Sequence, residues 1–317
     1  MSNNILITGG AGFIGRHLIS TLVLLDFSVR VLDVVSENEF FGNFDSLPKD
    51  LVKYTQGEVS DVGLLKKLLN DCRLCIHLVS TTVPVTSNLD MVFDVSSNVV
   101  NMIKLLEVSR AAGLSKIIYL SSGGAVYGNP LYSPLDEYHP VNPISSYGVT
   151  KLACEKYLLL YNHLYGFKNL VLRVSNPYGP GQSLNGVHGA ISTFVKSAVL
   201  GEVIDIYGDG LVTRDYIYID DLVSSIVCAV KYEGNYSVFN IGSGQETSLL
   251  DLISVIQSAL QKKLSVKHLP PRGFDVKKNV LDISLATRQL SWSPKFPLEL
   301  GLPRFVNNLI KKNECNK

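Results

Sequence analysis

A chain of 317 residues, 46% hydrophobic and 18% charged, has the apolar content for one large domain or for a nucleotide-binding domain with a smaller attached lobe, which excludes disorder. Its 29 lysines and arginines against 28 acids leave a formal charge of +1. There is no basic block of the kind that nucleic acid or an anionic membrane would need as a partner. No apolar run reaches membrane-spanning length, and the chain enters its first strand with no room for a signal peptide, so a cytoplasmic protein is expected.

The segment Ile5 to Gly15 runs from a short apolar strand through Thr8 into Gly9, Gly12 and Gly15 at three-residue spacing, then into an amphipathic run from Phe13 to Leu25. Strand, tight turn and helix start in that order are the arrangement that binds a dinucleotide. Gly9 permits the turn, Gly12 lets backbone approach a pyrophosphate, and Gly15 lets the helix lie close to the sheet. The anion then meets the free N–H groups of the first helical turn, around Phe13 and Ile14. A second strand, Val29 to Asp33, ends in an acid placed to accept hydrogen bonds from the adenosine ribose; a 2′-phosphate there would meet a negative charge, so NAD is expected over NADP. Arg30 alternates with Val29 and Val31 and is expected to face away from that pocket.

Residues 36–50 read as a polar surface connection, followed by a strand over 51–55, Gly57-Glu58-Val59-Ser60-Asp61 and a helix over 62–70. The fourth strand, Leu74 to Val79, leads into Ser80 and a loop at a strand's carboxyl end, where ligands bind in such sheets. One long helix is expected from Met91 to Ala112; Asn98 within it either bonds the backbone or reaches the site. A strand over 116–121 ends in Ser122-Gly123-Gly124-Ala125-Val126-Tyr127-Gly128, small residues that let a substrate approach the sheet edge. After a proline-rich loop, Ser145 opens a helix on which Tyr147 and Lys151, four apart, share one face. A phenol beside an ammonium gives a base able to exchange a hydroxyl proton. Further on come a strand over 170–175, a helix over 190–200, a strand over 203–207, a helix begun by Ser248 as its cap, and a last helix from Leu298 to Lys312 interrupted near its start by Pro303.

The five cysteines at 72, 75, 154, 228 and 315 do not make a disulfide framework. Cys72 and Cys75 have no second pair or histidine at zinc spacing, and no two of the six histidines form a helical ligand pair, so no metal is expected.

Alternating strands and helices predict an α/β fold, a Rossmann-like doubly wound parallel sheet with a smaller carboxyl-terminal lobe. The dinucleotide domain is expected over 1–175, with 210–245 partly returning to it, and a discontinuous substrate lobe over 176–317. The constellation Thr8-Gly9-x-x-Gly12-x-x-Gly15, Asp33, Gly57-x-x-x-Asp61, Ser121-Ser122, Tyr147-x-x-x-Lys151 and Arg214-Asp215-Tyr216 resembles the extended short-chain dehydrogenase/reductase family, in its nucleotide-sugar epimerase, dehydratase and reductase branch. The resemblance implies that Tyr147 is the catalytic acid/base and that Lys151 lowers its pKa and binds the nicotinamide ribose. Where that family places a hydroxyl beside the sugar this chain has Gly123, and Ser122 is the substitute candidate. Glu58 stands where an aspartate commonly meets the adenine, beside Val59. Leu78, Val79, Ser80 and Asn98 complete the expected cofactor contacts, with Tyr147, Lys151 and the backbone at Pro177 and Tyr178 around the nicotinamide.

On the same resemblance, Asn176 contacts substrate, and Arg214 and Arg272 are the guanidinium forks for its diphosphate, the alternative for each being a surface ion pair. The absence of acids at Gly123-Gly124-Ala125 removes weight from dehydratase and decarboxylase readings. A nucleotide-sugar 4-epimerase is therefore expected, acting on a UDP-hexose or UDP-N-acetylhexosamine. A 4-keto-6-deoxy nucleotide-sugar reductase is the alternative, and a catalytically silent nucleotide-binding protein the third reading. A homodimer is implied, formed by the helices over 91–112 and 145–165.

Overall fold

The computed structural model describes residues 3–44, 46–183, 189–271 and 276–315, side chains after 311 excepted. It contains two compact units. The first comprises Met1–Gly128, Val141–Arg173 and Val223–Phe239; the second comprises Asn129–Pro140, Val174–Leu222 and Asn240–Lys317.

The first unit begins with β1 (Asn4–Thr8), α1 (Phe13–Leu24), β2 (Ser28–Asp33), α2 (Glu37–Gly42), β3 (Val52–Gln56), α3 (Val62–Leu69) and β4 (Cys72–His77). It continues through α4 (Pro84–Ser87), α5 (Met91–Asp94), a π-helical turn (Val95–Val100), α6 (Asn101–Ala111), β5 (Ile117–Ser122), α7 (Ser146–Tyr165) and β6 (Leu170–Val174). Seven strands form the sheet in the order Val238–Ile241, β6, β5, β4, β1, β2, β3. The pairs β1–β2, β1–β4, β2–β3 and β4–β5 are parallel. Ile5, Leu6, Ile7, Leu74, Cys75, Ile76, Ile117 and Ile118 have no accessible surface, as strands covered on both faces require. The chain winds outward in opposite directions from β1, so the carboxyl ends of β1 and β4 flank the switch point at which such sheets open a crevice.

Three sequence expectations are corrected. Residues 36–50 are not simply a polar connection: Ser36 caps α2 by accepting from the Glu39 N–H at 3.2 Å, and Phe40 is fully buried, stacked on Tyr54 with ring centroids 4.3 Å apart. One apolar side chain anchors a segment whose average composition is polar. The long helix expected over 91–112 is divided by the π-helical turn. The last helix, Leu298–Cys315, runs through Pro303, which costs the helix the N–H that proline lacks without ending it.

In the second unit, β7 (Asn176–Tyr178) is followed by α8 (Gly189–Leu200), β8 (Ile204–Tyr207), β9 (Thr213–Arg214) and β10 (Tyr216–Tyr218), and β7 and β10 pair in parallel. The Asp215 carboxylate, with no accessible surface, accepts from the backbone of Ser243, Gly244 and Leu281 and from the Ser243 hydroxyl. A Cβ on Gly242 would stand 2.4 Å from that carboxylate, so only glycine leaves room for it. Ser248 caps the helix Leu249–Leu260 in a reciprocal exchange with Asp251, as its position predicted. No helix among the described residues is long and apolar enough to cross a membrane.

The position of α7 is fixed by a buried ion pair in the first unit. Arg173 on β6 donates to Glu155 on α7, with Nη2 to Oε2 at 2.7 Å, and through Nη1 to the Tyr127 hydroxyl at 3.0 Å; Ser121 donates to the same carboxylate. Glu155 has no accessible surface. Arg173→Leu strands that carboxylate without a counter-ion and should destabilise the protein by about 3–5 kcal/mol. The double variant Arg173→Leu/Glu155→Leu should recover most of the loss, as read by urea unfolding; equal destabilisation of the two variants would show that the pairing is not what matters.

Candidate active site

The turn after β1 is held from both sides. Gly9 has φ +78°, a conformation that glycine alone adopts without strain, and its N–H donates to the Leu32 carbonyl at 2.9 Å. A Cβ on Gly15 would meet the Gly10 carbonyl oxygen at 2.5 Å, so α1 can lie on the turn only with glycine there. The N-cap of α1, Gly12, offers no side chain to the N–H groups of the first turn, leaving that positive helix end to an external anion.

Beside this turn lies a cavity of about 570 Å³. Its walls include Gly9 and Gly12, Asp33 at the end of β2, Glu58 and Val59 after β3, and Leu78, Val79 and Ser80 after β4. All of these were expected from sequence as cofactor contacts. Phe13, Ile14 and Gly15 continue the turn as the start of α1. Asp33 fastens its own surroundings, accepting from the Ala11 N–H at 2.8 Å and the Val34 N–H at 2.7 Å. Glu58 is exposed and accepts from Ser60 at 2.8 Å. Arg30 donates to the Leu68 carbonyl at 2.9 Å and also to that of Asn70, at the end of α3, so it turns away from the cavity as expected. Burial, with Asp33, Glu39 and Glu37 nearby, pushes the Tyr54 phenol up to about 12, so it remains a neutral donor to the Val35 carbonyl.

The chain uses residues here that sequence reasoning did not single out. Phe93, Ser97 and Asn101, spaced by four, also line the cavity. Residues four apart share one helical face, so this series lies along a single flank of the segment that contains the π turn. Only the spacing of four hinted at this. Asn98 bonds to one of the wall residues: its amide nitrogen donates to Asp94 Oδ1 at 2.9 Å and Thr81 Oγ1 at 3.0 Å, and its oxygen accepts from the Thr81 N–H at 3.2 Å.

At the carboxyl end of β5, Lys151 stands beside the Tyr147 ring within the first unit. Ser145 caps α7 by accepting from the Gly148 N–H at 3.2 Å, which starts the helix one residue before Tyr147. A Cβ on Gly148 would stand 2.6 Å from the Ala125 carbonyl oxygen, so α7 and the Ser122–Gly128 turn touch backbone to backbone beside Tyr147. Lys151 is buried; its Nζ donates to the Leu120 carbonyl at 2.9 Å and stands 4.9 Å from the Tyr119 ring centre and 5.6 Å from that of Tyr147. Ser122 is half-buried at the end of β5, and Gly123 follows it. Thr8 and His77, which end β1 and β4, are joined at 2.7 Å between Oγ1 and Nδ1, and the His77 ring stacks on Tyr119.

In the second unit, Asn176 Nδ2 donates to the Asp215 carbonyl at 2.8 Å, and Arg214 Nη1 donates to the carbonyls of Thr213 and Val276 at 2.8 and 2.6 Å. Pro177 and Tyr178 complete β7, with the Tyr178 side chain buried against Tyr218. Arg272 lies outside the described residues. Among the described residues no group of three or more histidines, cysteines or acids could hold a metal ion.

Comparison with known proteins adds to this geometry. The family described as NAD dependent epimerase/dehydratase matches residues 5–242. A UDP-glucose 4-epimerase of Mycolicibacterium smegmatis is 34% identical over 98% of this chain and 99% of its own length. A dTDP-4-dehydro-6-deoxyglucose reductase of Escherichia coli is 35% identical over 99% of this chain and 98% of its own. Among solved structures, the UDP-glucose 4-epimerase of Thermotoga maritima with UDP-glucose superposes with a TM-score of 0.91 at 34% identity, covering 98% of this chain and 99% of that one.

His77 is held neutral: burial, reinforced by the Lys151 charge, lowers its pKa to about 3. The unfolded chain takes up its proton near 6.5, so between those values the unfolded state binds one proton more. This contribution to stability is whole above pH 6.5 and is lost as pH falls below it, at up to ~1.4 kcal/mol per pH unit. Urea unfolding at pH 7.0 and 5.5 should therefore give a steeper loss for the native protein than for His77→Asn. Parallel losses would mean that His77 is protonated in the fold.

Proposed function

The chain belongs to the NAD-dependent epimerase/dehydratase family, and we propose that it is a nucleotide-sugar 4-epimerase acting on a UDP-hexose or UDP-N-acetylhexosamine. The observation that carries this reading is the Tyr147 ring with the ordered Lys151 ammonium beside it, set against a turn, Gly123-Gly124-Ala125, with no acid to remove water from an oxidised sugar.

NAD, when bound, supplies the nicotinamide that accepts a hydride from the sugar C4 and returns it. The first unit is its domain in this reading. Gly9, Gly12 and the first turn of α1 would hold the pyrophosphate, Asp33 the adenosine ribose, Glu58 and Val59 the adenine end, and Leu78, Val79 and Ser80 the opposite wall of the cavity. Tyr147 would take the proton of the C4 hydroxyl as C4 gives up its hydride, and would return it to the C4 oxygen when the turned-over ketose takes the hydride back on its other face. Lys151, fixed by the Leu120 carbonyl, supplies the positive charge beside the phenol and the ribose contact. Ser122 serves the sugar hydroxyl in place of a side chain that Gly123 lacks. The second unit is the substrate lobe, with Asn176 on the sugar nucleotide and Arg214 and Arg272 on its diphosphate. A cytoplasmic location belongs to the same reading.

The reductase of Escherichia coli, at 35% identity, favours a second reading: reduction of a 4-keto-6-deoxy nucleotide sugar by the same residues. The two differ in cofactor economy. An epimerase recovers its oxidised cofactor in every cycle, and a reductase consumes one reduced cofactor per product. The purified protein should interconvert a UDP-hexose or UDP-N-acetylhexosamine with its C4 epimer without added NADH. Tyr147→Phe should lower turnover by ~10²–10⁴ while NAD remains bound. If only the keto sugar with NADH or NADPH reacts, the epimerase reading fails; if Tyr147→Phe keeps full activity, the mechanism does.

We also propose a homodimer through the outer faces of the helices over 91–112 and 145–165, where Val100, Leu160 and Leu164 are exposed apolar side chains. Light scattering at micromolar concentration should give twice the chain mass of 34.8 kDa. A single-chain mass would overturn this.

A further inference from the structure

Asp94 is an unusual carboxylate. It has no accessible surface, and no lysine or arginine among the described residues forms an ion pair with it. A buried acid with no counter-ion is costly unless hydrogen bonds replace its water. Here four side chains do so, and they come from two directions. From the cofactor side, Thr82 Oγ1 donates at 2.6 Å and Asn98 Nδ2 at 2.9 Å. From the catalytic helix, Ser146 Oγ donates at 2.6 Å, and Thr150 Oγ1, whose single proton is shared with the Tyr147 carbonyl at 3.0 Å, reaches the carboxylate at 3.3 Å. Ser146 opens α7, so the carboxylate also lies near that helix's positive end.

The neighbours of these donors give the arrangement its meaning. Ser146 and Thr150 directly precede Tyr147 and Lys151, so any shift of that face of α7 moves the proposed acid/base pair with it. Thr82 follows Ser80 and Thr81, which line the cavity, and Asn98 grips Thr81 through both its backbone and its hydroxyl. The Thr81 hydroxyl in turn meets Ser97, another wall residue, at 2.6 Å. We propose that Asp94 is a positioning residue that locks the Ser80–Thr82 loop to the amino end of α7, so that the cofactor wall and the Tyr147 phenol keep one spacing. Its role in turnover rests on the epimerase reading; its role in holding the loop to the helix does not.

A second property follows from the two-sided bonding. A change made only on the α7 side must be felt at the cofactor, because the carboxylate transmits it. Ser146→Ala/Thr150→Val touches neither the cavity wall nor Thr82, yet it should speed NAD release several-fold, measured by stopped-flow displacement from the loaded protein. Asp94→Ala should speed release further. When saturated with NAD, Asp94→Ala should show kcat lowered by ~10² with KM for the UDP sugar within about two-fold, since small misplacements of reacting groups carry penalties of that size. Asp94→Asn, which keeps the shape and one acceptor oxygen, should fall between Asp94→Ala and the native protein in both measurements.

A purely structural role would lower melting temperature and yield while leaving kcat per NAD-loaded molecule unchanged, and that result would overturn the proposal. So would native NAD release from Ser146→Ala/Thr150→Val, which remains measurable even if Asp94→Ala does not fold. If the native protein interconverts no UDP sugar while the helix-side variant still loosens NAD, the epimerase reading falls and the loop-to-helix lock stands.

Discussion

Glu155 and Arg173 decide where the chemistry of this chain can take place. Tyr147, Lys151 and Glu155 recur at intervals of four along α7 and therefore lie along one flank of the helix. Fixing the last of them to β6, and through Ser121 and Tyr127 to the end of β5, sets the rotation of the whole helix. A buried ion pair of this kind is not favoured over well-packed apolar side chains by energy alone. What it provides is orientation: a guanidinium with Nε and Nη2 on one carboxylate and Nη1 on a phenol tolerates little rotation. The close approach of Gly148 to Ala125 then sets how deeply the helix sits, since any larger residue at 148 would collide with the turn after β5.

The charges around this helix are distributed economically. His77 is neutral and bonded to Thr8, so Lys151 is the cation beside the aromatic rings of Tyr119 and Tyr147. Asp33, the acid of the cavity wall, is occupied with the backbone of the glycine-rich turn and of Val34. It shapes the turn as well as presenting a negative charge to whatever enters. One side chain thus has two tasks, and only its charge is visible in the sequence.

Much of this was legible in the order of residues because it depends on local geometry. The glycine-rich turn, the cap at Ser145, the capping box at Ser248 and the shared face of Tyr147 and Lys151 each follow from neighbours a few positions apart. The family resemblance drawn from those motifs agrees with the family match over residues 5–242. What escaped was set by distant partners. Phe40 forms a helix in a polar stretch because Tyr54, on another strand, offers it a surface. Asp94 reads as an ordinary helix acid until Thr82, Ser146 and Thr150 are seen to converge on it. Asn98, expected either to bond the backbone or to reach the site, spends its amide on Asp94 and on the Thr81 hydroxyl.

The π turn at Val95–Val100 also bears on how this chain compares with its relatives. Widening one turn has the effect of splicing a single residue into a regular helix: the segment before it, with Phe93 and Asp94, and the segment after it, with Met102, Leu105 and Leu106 in the core, keep separate rotational phases. A relative that lacked the extra residue would have to give up either the wall or the core. An alignment with such a relative would place its gap in the middle of a helix, where gaps are ordinarily taken for errors, and here that gap would be the correct reading.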